Sequence, residues 1–185
     1  MSSRLEWLGS LSLEEAEAQL LTCCASRRWA VKLVANRPYA DESSLIEAAV
    51  AGIGELEWDD IEEALSAHPR IGEREAAHKK DVDSSNAMRP DAEAAAREAQ
   101  WSRDEQSGAD NADAAVKAEI AERNVAYENR FGHVFLIRAT GRSAEEMLHA
   151  LHTRLHNSVE DERAVVRSEL ADITRLRIRK LLGLI

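Results

Sequence analysis

Ser12-Leu13-Glu14-Glu15-Ala16-Glu17-Ala18-Gln19-Leu20-Leu21-Thr22-Cys23-Cys24 is the stretch that sets the reading of the chain. A serine followed three residues later by glutamate is a capping box. The hydroxyl accepts from an unsatisfied N–H of a first helical turn, and the carboxylate reaches back to the serine N–H. Ala16, Leu20, Cys23 and Cys24 then recur at helical spacing. A helix is therefore expected to start after Ser12 and to bury that face, both thiols included.

The same signals repeat outward. Trp29 to Val34 predicts a helix that ends before Arg37-Pro38, because the residue before proline resists the helical conformation. Asp41 or Ser43 can cap a helix through Leu45, Ile46, Ala49 and Val50, with Gly52 and Gly54 marking its end. Trp58 to Ala67 places Ile61 and Leu65 on one face and stops at Pro69. Asp113 to Arg130 shows Ala115, Ile120, Val125 and Tyr127 at helical spacing and ends near Gly132. Ser143-Ala144-Glu145-Glu146 is a second capping box, opening a helix to about Asn157 with Leu148, Leu151 and Leu155 as its core stripe. Glu160 to Leu182 forms the last helix, with Leu170, Ile173, Leu176 and Leu181 inward. Val134-Phe135-Leu136-Ile137 is too short for a helix and is expected to lie extended and buried.

Residues 73–101 differ from the rest. Glu73 to Asp83 is charged, Ser84-Ser85-Asn86 has turn composition, and Asp91 to Gln100 is alanine-rich. They read as a mostly exposed polar insertion with one helix inside. The expectation is an all-α, single-domain bundle over residues 1–185, with about seven or eight helices.

Composition agrees. In 185 residues, 44% are hydrophobic, 31% charged and only 4% aromatic, a balance that favours helices over sheets. The net charge of −10 argues against non-specific binding to nucleic acid or anionic membranes, where a basic face supplies most of the affinity. No apolar run is long enough to span a bilayer. Met1 to Trp7 lacks the apolar centre of a secretory signal, and Leu182-Gly183-Leu184-Ile185 is not a peroxisomal address, so the expected compartment is the cytoplasm. Cys23 and Cys24 have no other cysteine to bridge to, which fits a reducing environment.

Four places can carry chemistry. His68, in Ala67-His68-Pro69-Arg70-Ile71-Gly72, stands at a helix stop with proline fixing the backbone behind it. Its imidazole can act as acid or base near neutrality, although a helix C-terminus also favours histidine for structural reasons. Ser102 and Glu105, in Trp101-Ser102-Arg103-Asp104-Glu105-Gln106-Ser107-Gly108, fit a helix N-cap. Glu105 with Gln106 also offers the acceptors and donors that grip a urea-like group. Arg177, between Leu176 and Ile178, is a candidate inward cation for a carboxylate. His149, His152 and His156 share a helix face, so a metal-dependent hydrolase is one rival reading, but they flank the leucine stripe and read better as exposed. His78 and His133 have no evident partners in the sequence.

Taken in order along the chain, these segments resemble the family of 2-oxo-4-hydroxy-4-carboxy-5-ureidoimidazoline (OHCU) decarboxylases of urate breakdown. The matching residues are Cys24 to Trp29, Arg37-Pro38-Tyr39, Ala67 to Gly72, Ser102 with Glu105 to Gly108, Asn124, Tyr127, Phe131-Gly132, Phe135 to Ala139, and Ile173 with Leu176 to Ile178. The resemblance implies an all-α lyase, often a homodimer, using neither cofactor nor metal and converting OHCU to (S)-allantoin and carbon dioxide. It implies that His68 is the catalytic residue and that Pro69, Ser102, Glu105, Gln106 and Arg177 contact substrate. It further implies that the backbone of Phe135, Leu136, Ile137, Arg138 and Ala139 reads the ring and ureido groups. The polar stretch between Gly72 and Ser102 is longer than the family's usual connection. The remaining rivals are a non-catalytic helical interaction module, which predicts no polar cluster around His68, and a related fold acting on another ureido or imidazoline acid.

Overall fold

A computed structural model describes residues 3–72, 90–110 and 112–185. The described residues contain nine α-helices and no strand: α1 (Arg4–Ser10), α2 (Leu13–Leu21), α3 (Arg27–Ala35), α4 (Glu42–Gly54), α5 (Trp58–Ser66), α6 (Pro90–Glu105), α7 (Ala114–Phe131), α8 (Ala144–Arg154) and α9 (Val159–Leu181). A single 3-10 turn, Ser107–Ala109, follows α6. The charged stretch from Glu73, the Ser84-Ser85-Asn86 turn and His78 lie outside the described residues.

Helix starts follow the capping chemistry. Ser12 and Ser143 form complete capping boxes with Glu15 and Glu146, and Asp41, rather than Ser43, caps α4 through the Ser44 N–H. The helix that sequence reading leaves out is α1, which a third box, Ser3 with Glu6, starts. Gly132, at φ 81°, terminates α7 in the left-handed conformation that glycine adopts without steric cost.

Several expectations are corrected by packing. Gly52 does not end α4 but lies inside it, where an added Cβ would stand 3.0 Å from the Trp29 ring. That ring is buried and donates to the Ala49 carbonyl at 2.8 Å. Cys23 and Cys24 are buried but lie past the end of α2, not within it. Burial pushes both thiols up to about 12, so they remain protonated and unreactive at neutral pH. On α7 the inward residues are Ile120, Asn124 and Tyr127, while Ala115 and Val125 are exposed. On α8 the buried stripe is Met147, Leu151 and Arg154, with Leu148 and Leu155 only half-buried. Leu176 on α9 is likewise half-buried, and its neighbour Arg177 takes the inward position.

Two apolar clusters meet beside the chain segment between α7 and α8. One joins α1 to α5 with α9, including Leu20, Trp29, Leu45, Ile61, Leu65 and Leu170. The other joins α7 and α8, including Ile120, Tyr127, Met147 and Leu151. Phe135, Ile137 and Ala139 belong to the second cluster and Leu136 to the first. That alternation is the signature of an extended chain, whose successive side chains point to opposite sides. The segment is buried and extended, as its composition predicts, and it lies along the seam between the two cores. No helix among the described residues is long and apolar enough to cross a membrane.

Candidate active site

At this seam a cleft is lined by His68, Pro69, Ile71, Ser102, Glu105, Gln106, Phe135, Leu136, Ile137, Ala139, Ile173 and Arg177. Ten of the eleven residues predicted for the site are among them. The exception is Arg138, whose side chain is exposed and whose backbone N–H donates to Glu169 at 2.8 Å. Ile71 and Ile173 join the lining as apolar walls.

The loop bearing His68 is clamped from several directions. Its N–H closes the last turn after α5 onto Leu65, and the Pro69 carbonyl accepts from the Gln106 amide at 3.4 Å. Arg70 makes a two-point ion pair with Glu128 of α7, at 2.6 and 2.7 Å. Asn124 donates to the Ile71 carbonyl at 3.0 Å, and Gly72 takes the left-handed conformation at φ 82°. These contacts fix the backbone, so the imidazole projects from a rigid base.

Ser102 and Glu105 do not cap a helix. The alanine-rich run from Asp91 continues through them, and both stand in the last turn of α6. A serine–glutamate pair at this spacing is compatible with a helix interior as well as with a cap, and here their side chains are used across the fold. Arg177, 1% exposed, reaches Glu105 through Nε at 3.2 Å and Nη2 at 2.9 Å, Ser102 Oγ at 3.1 Å, and the Thr22 carbonyl at 3.4 Å. Glu98 lies 3.7 Å away. Burial works against the Arg177 charge, but the hydrogen bonds and charge of Glu105 outweigh it, and the guanidinium pKa is raised.

Lys180, one turn on, also binds Glu105, at 3.1 Å. Its contact depends on α6 crossing α9, for which no local signal exists.

His68 has a different electrostatic setting. The residue is half-buried and lines the cleft. Burial first, and the positive charge of Arg177 second, lower its pKa from the ordinary 6.5 to about 3. At neutral pH the imidazole is uncharged and can accept a proton. Below pH 6.5 the unfolded chain binds a proton at this position that the folded chain does not, so stability falls as pH drops from 6.5 towards 3. Denaturant titrations across that window are expected to show a shallower acid slope for His68→Gln than for the wild type.

Gly108, two residues beyond Gln106, is packed against another backbone. A Cβ built there would overlap the Arg142 carbonyl oxygen and stand 3.3 Å from its carbonyl carbon. The glycine lets the 3-10 turn after Gln106 touch the turn before α8. Gly108→Ala must push the two backbones apart, with an expected loss of about 1–3 kcal/mol measured by denaturant unfolding.

The cleft volume is about 20 Å³, room for about one water molecule. Two larger hollows lie elsewhere, of about 450 Å³ between α1 and the Arg37–Glu42 segment and about 680 Å³ between α2 and α6. Neither contains His68, Gln106 or Arg177.

His149 and His152 of α8 and His156 just past its end do not converge. His149 is exposed, His152 bonds Glu119 at 2.7 Å, and His156 turns its Nδ1 to the His152 carbonyl at 2.9 Å. Among the described residues no three His, Cys, Asp or Glu side chains are grouped to hold a metal ion.

His68, the buried Arg177–Glu105 pair and the Gln106 amide thus line one cleft of a helical fold. The chain belongs to the OHCU decarboxylase family, whose model matches residues 9–179. It is similar to the uric acid degradation bifunctional protein TTL of Arabidopsis thaliana, 31% identical over 171 residues, covering 92% of this chain and 48% of that protein. The chain thus spans about half the length of that relative. Among solved structures it is similar to an OHCU decarboxylase crystallised in the presence of (S)-allantoin, with TM-score 0.70 and 29% identity over 90% of this chain and 98% of the other. An (S)-allantoin synthase shares the fold, with TM-score 0.63 and 17% identity over 96% of this chain and 53% of the other.

Proposed function

We propose that this chain is a carboxy-lyase that converts OHCU to (S)-allantoin and carbon dioxide in urate degradation. The observation that carries the reading is the meeting of His68, Glu105, Gln106 and Arg177 in one cleft of a chain of this family. A non-catalytic helical module would not be expected to gather these groups.

The substrate carries a hydroxyl and a carboxylate on one ring carbon, beside a ring imine. Loss of carbon dioxide leaves an electron pair on that carbon, and the adjacent C=N accepts it by shifting its own pair to nitrogen, which takes a proton from solvent. The substrate thus supplies its own electron sink, and the protein's task is orientation. Arg177 holds the carboxylate so that the breaking bond stands over the ring π-system. Glu105 and Gln106 hold the ureido group, through an acceptor and a mixed donor–acceptor. Neutral His68 takes the hydroxyl proton. As that oxygen becomes a carbonyl, a proton added to one face of the neighbouring carbon sets the (S) configuration. The anionic substrate offsets the charge of Arg177 and raises the basicity of His68 from its low value in the free protein.

The same reading includes one decarboxylase domain with its polar insertion around 73–101, a homodimer, and the cytoplasm as compartment. It includes no resident metal or cofactor. The test is to generate OHCU from urate in situ and follow its disappearance with purified protein. Acceleration that scales with protein concentration supports the reading. An unchanged spontaneous rate, with acceleration of another ureido or imidazoline acid, would favour the related-substrate alternative.

A further inference from the structure

The Phe135–Ala139 segment is held at two points, two residues apart. The Leu136 carbonyl accepts from Arg154 Nη1 at 2.7 Å, and the Arg138 N–H donates to Glu169 at 2.8 Å. One side chain comes from α8 and the other from α9.

The first holder is itself rigid. Arg154 is 6% exposed, and its Nε and Nη2 both bind Glu162 Oε1, at 2.9 and 2.6 Å. Its guanidinium carbon stands 4.5 Å from the centre of the Phe135 ring. Glu162, fully buried, also accepts from the Tyr127 hydroxyl and from Asn157 at 2.8 Å. A buried ion pair of this kind contributes little net stability, but it holds one geometry.

Between the two held residues lies Ile137, which is buried and lines the cleft with His68. Among the described residues no hydrogen bond reaches its N–H or its carbonyl. Buried peptide groups are ordinarily paired, because leaving one unpaired costs about 1–3 kcal/mol. In an extended chain the peptide groups of neighbouring residues face opposite edges. Holding Leu136 and Arg138 from the α8–α9 side therefore turns the Ile137 groups to the other edge.

We propose that Arg154 and Glu169 are positioning residues that set the register of this segment, so that the Ile137 N–H and carbonyl meet an amide-type donor–acceptor pair of the ligand. This rests on the functional reading above, since OHCU and allantoin both carry such N–H and C=O groups.

Glu169 is the better test, because it is half-buried, whereas removing Arg154 would strand the buried Glu162 carboxylate. Glu169→Ala and Glu169→Gln are compared with the wild type by calorimetric binding of (S)-allantoin and by the steady-state kinetics of OHCU turnover. Thermal melting checks the fold. One hydrogen bond's worth of orientation predicts that Glu169→Ala weakens allantoin binding and raises KM by about three- to tenfold, with kcat nearly unchanged. Glutamine retains the acceptor and is expected to restore wild-type values. A Glu169→Ala protein with wild-type binding and KM, or a glutamine variant as impaired as alanine, overturns the proposal while leaving the wild-type activity standing. A wild type that neither binds allantoin nor turns over OHCU overturns the functional reading itself, and the proposal with it.

Discussion

Replacing His68 by alanine or asparagine is expected to abolish enzymatic formation of (S)-allantoin, with kcat falling by about 10²–10⁴-fold, the usual contribution of a positioned acid–base group. The fold should survive. The imidazole makes no hydrogen bond among the described residues, and the backbone around it is held by Gln106, Glu128 and Asn124 instead. The loss should therefore appear in kcat, with allantoin binding little changed and an unaltered far-ultraviolet spectrum. Asparagine is the stricter variant, since it keeps a polar group of similar reach but has no basic nitrogen. Stereospecific turnover at the wild-type rate by either protein would remove His68 from the mechanism.

Arg177→Met is expected to give the second large effect, in both stability and affinity. Breaking a buried ion pair typically costs about 3–5 kcal/mol, because the partner is left as an uncompensated buried charge. Here the low end applies. Glu105 keeps Lys180 at 3.1 Å, so one of its two cations remains. KM should rise steeply, as the substrate carboxylate loses its only fully buried cationic partner among the described cleft residues. Arg177→Lys keeps the charge but not the planar fork that spans Glu105 and Ser102, and should recover stability better than affinity. Denaturant unfolding and steady-state kinetics on the same preparations check both. A methionine variant with wild-type KM would contradict the assignment.

The parts of the molecule that were legible in its sequence are those set by local chemistry. Ser12, Asp41 and Ser143 fix helix starts through side chains that satisfy N–H groups of the next turn, and Pro69 fixes a stop. His68 was visible as a histidine at that stop, and Arg177 as a candidate inward cation, although Leu176 rather than Arg177 was assigned to the core stripe. Illegible features depend on what crosses what. Ser102 and Glu105 have the spacing of a cap, and only the continuation of α6 through them shows that they serve Arg177. Arg154 looks like a surface residue beside a leucine stripe, yet it is buried because Glu162 and the Leu136 carbonyl satisfy it from elsewhere in the chain. Lys180 and Glu169 carry no local mark of their contacts with Glu105 and with the Arg138 backbone. Gly108 reads as a turn residue, whereas its role is to admit the Arg142 carbonyl.

The most direct measurement of the central claim is the optical activity of allantoin formed from urate-derived OHCU, followed with and without the purified protein. Spontaneous decay supplies the racemic baseline. An account in which His68, Glu105, Gln106 and Arg177 orient the substrate and protonate one face predicts a growing excess of (S)-allantoin, absent with His68→Asn. Racemic allantoin, formed at the spontaneous rate in the presence of the wild-type protein, would contradict it.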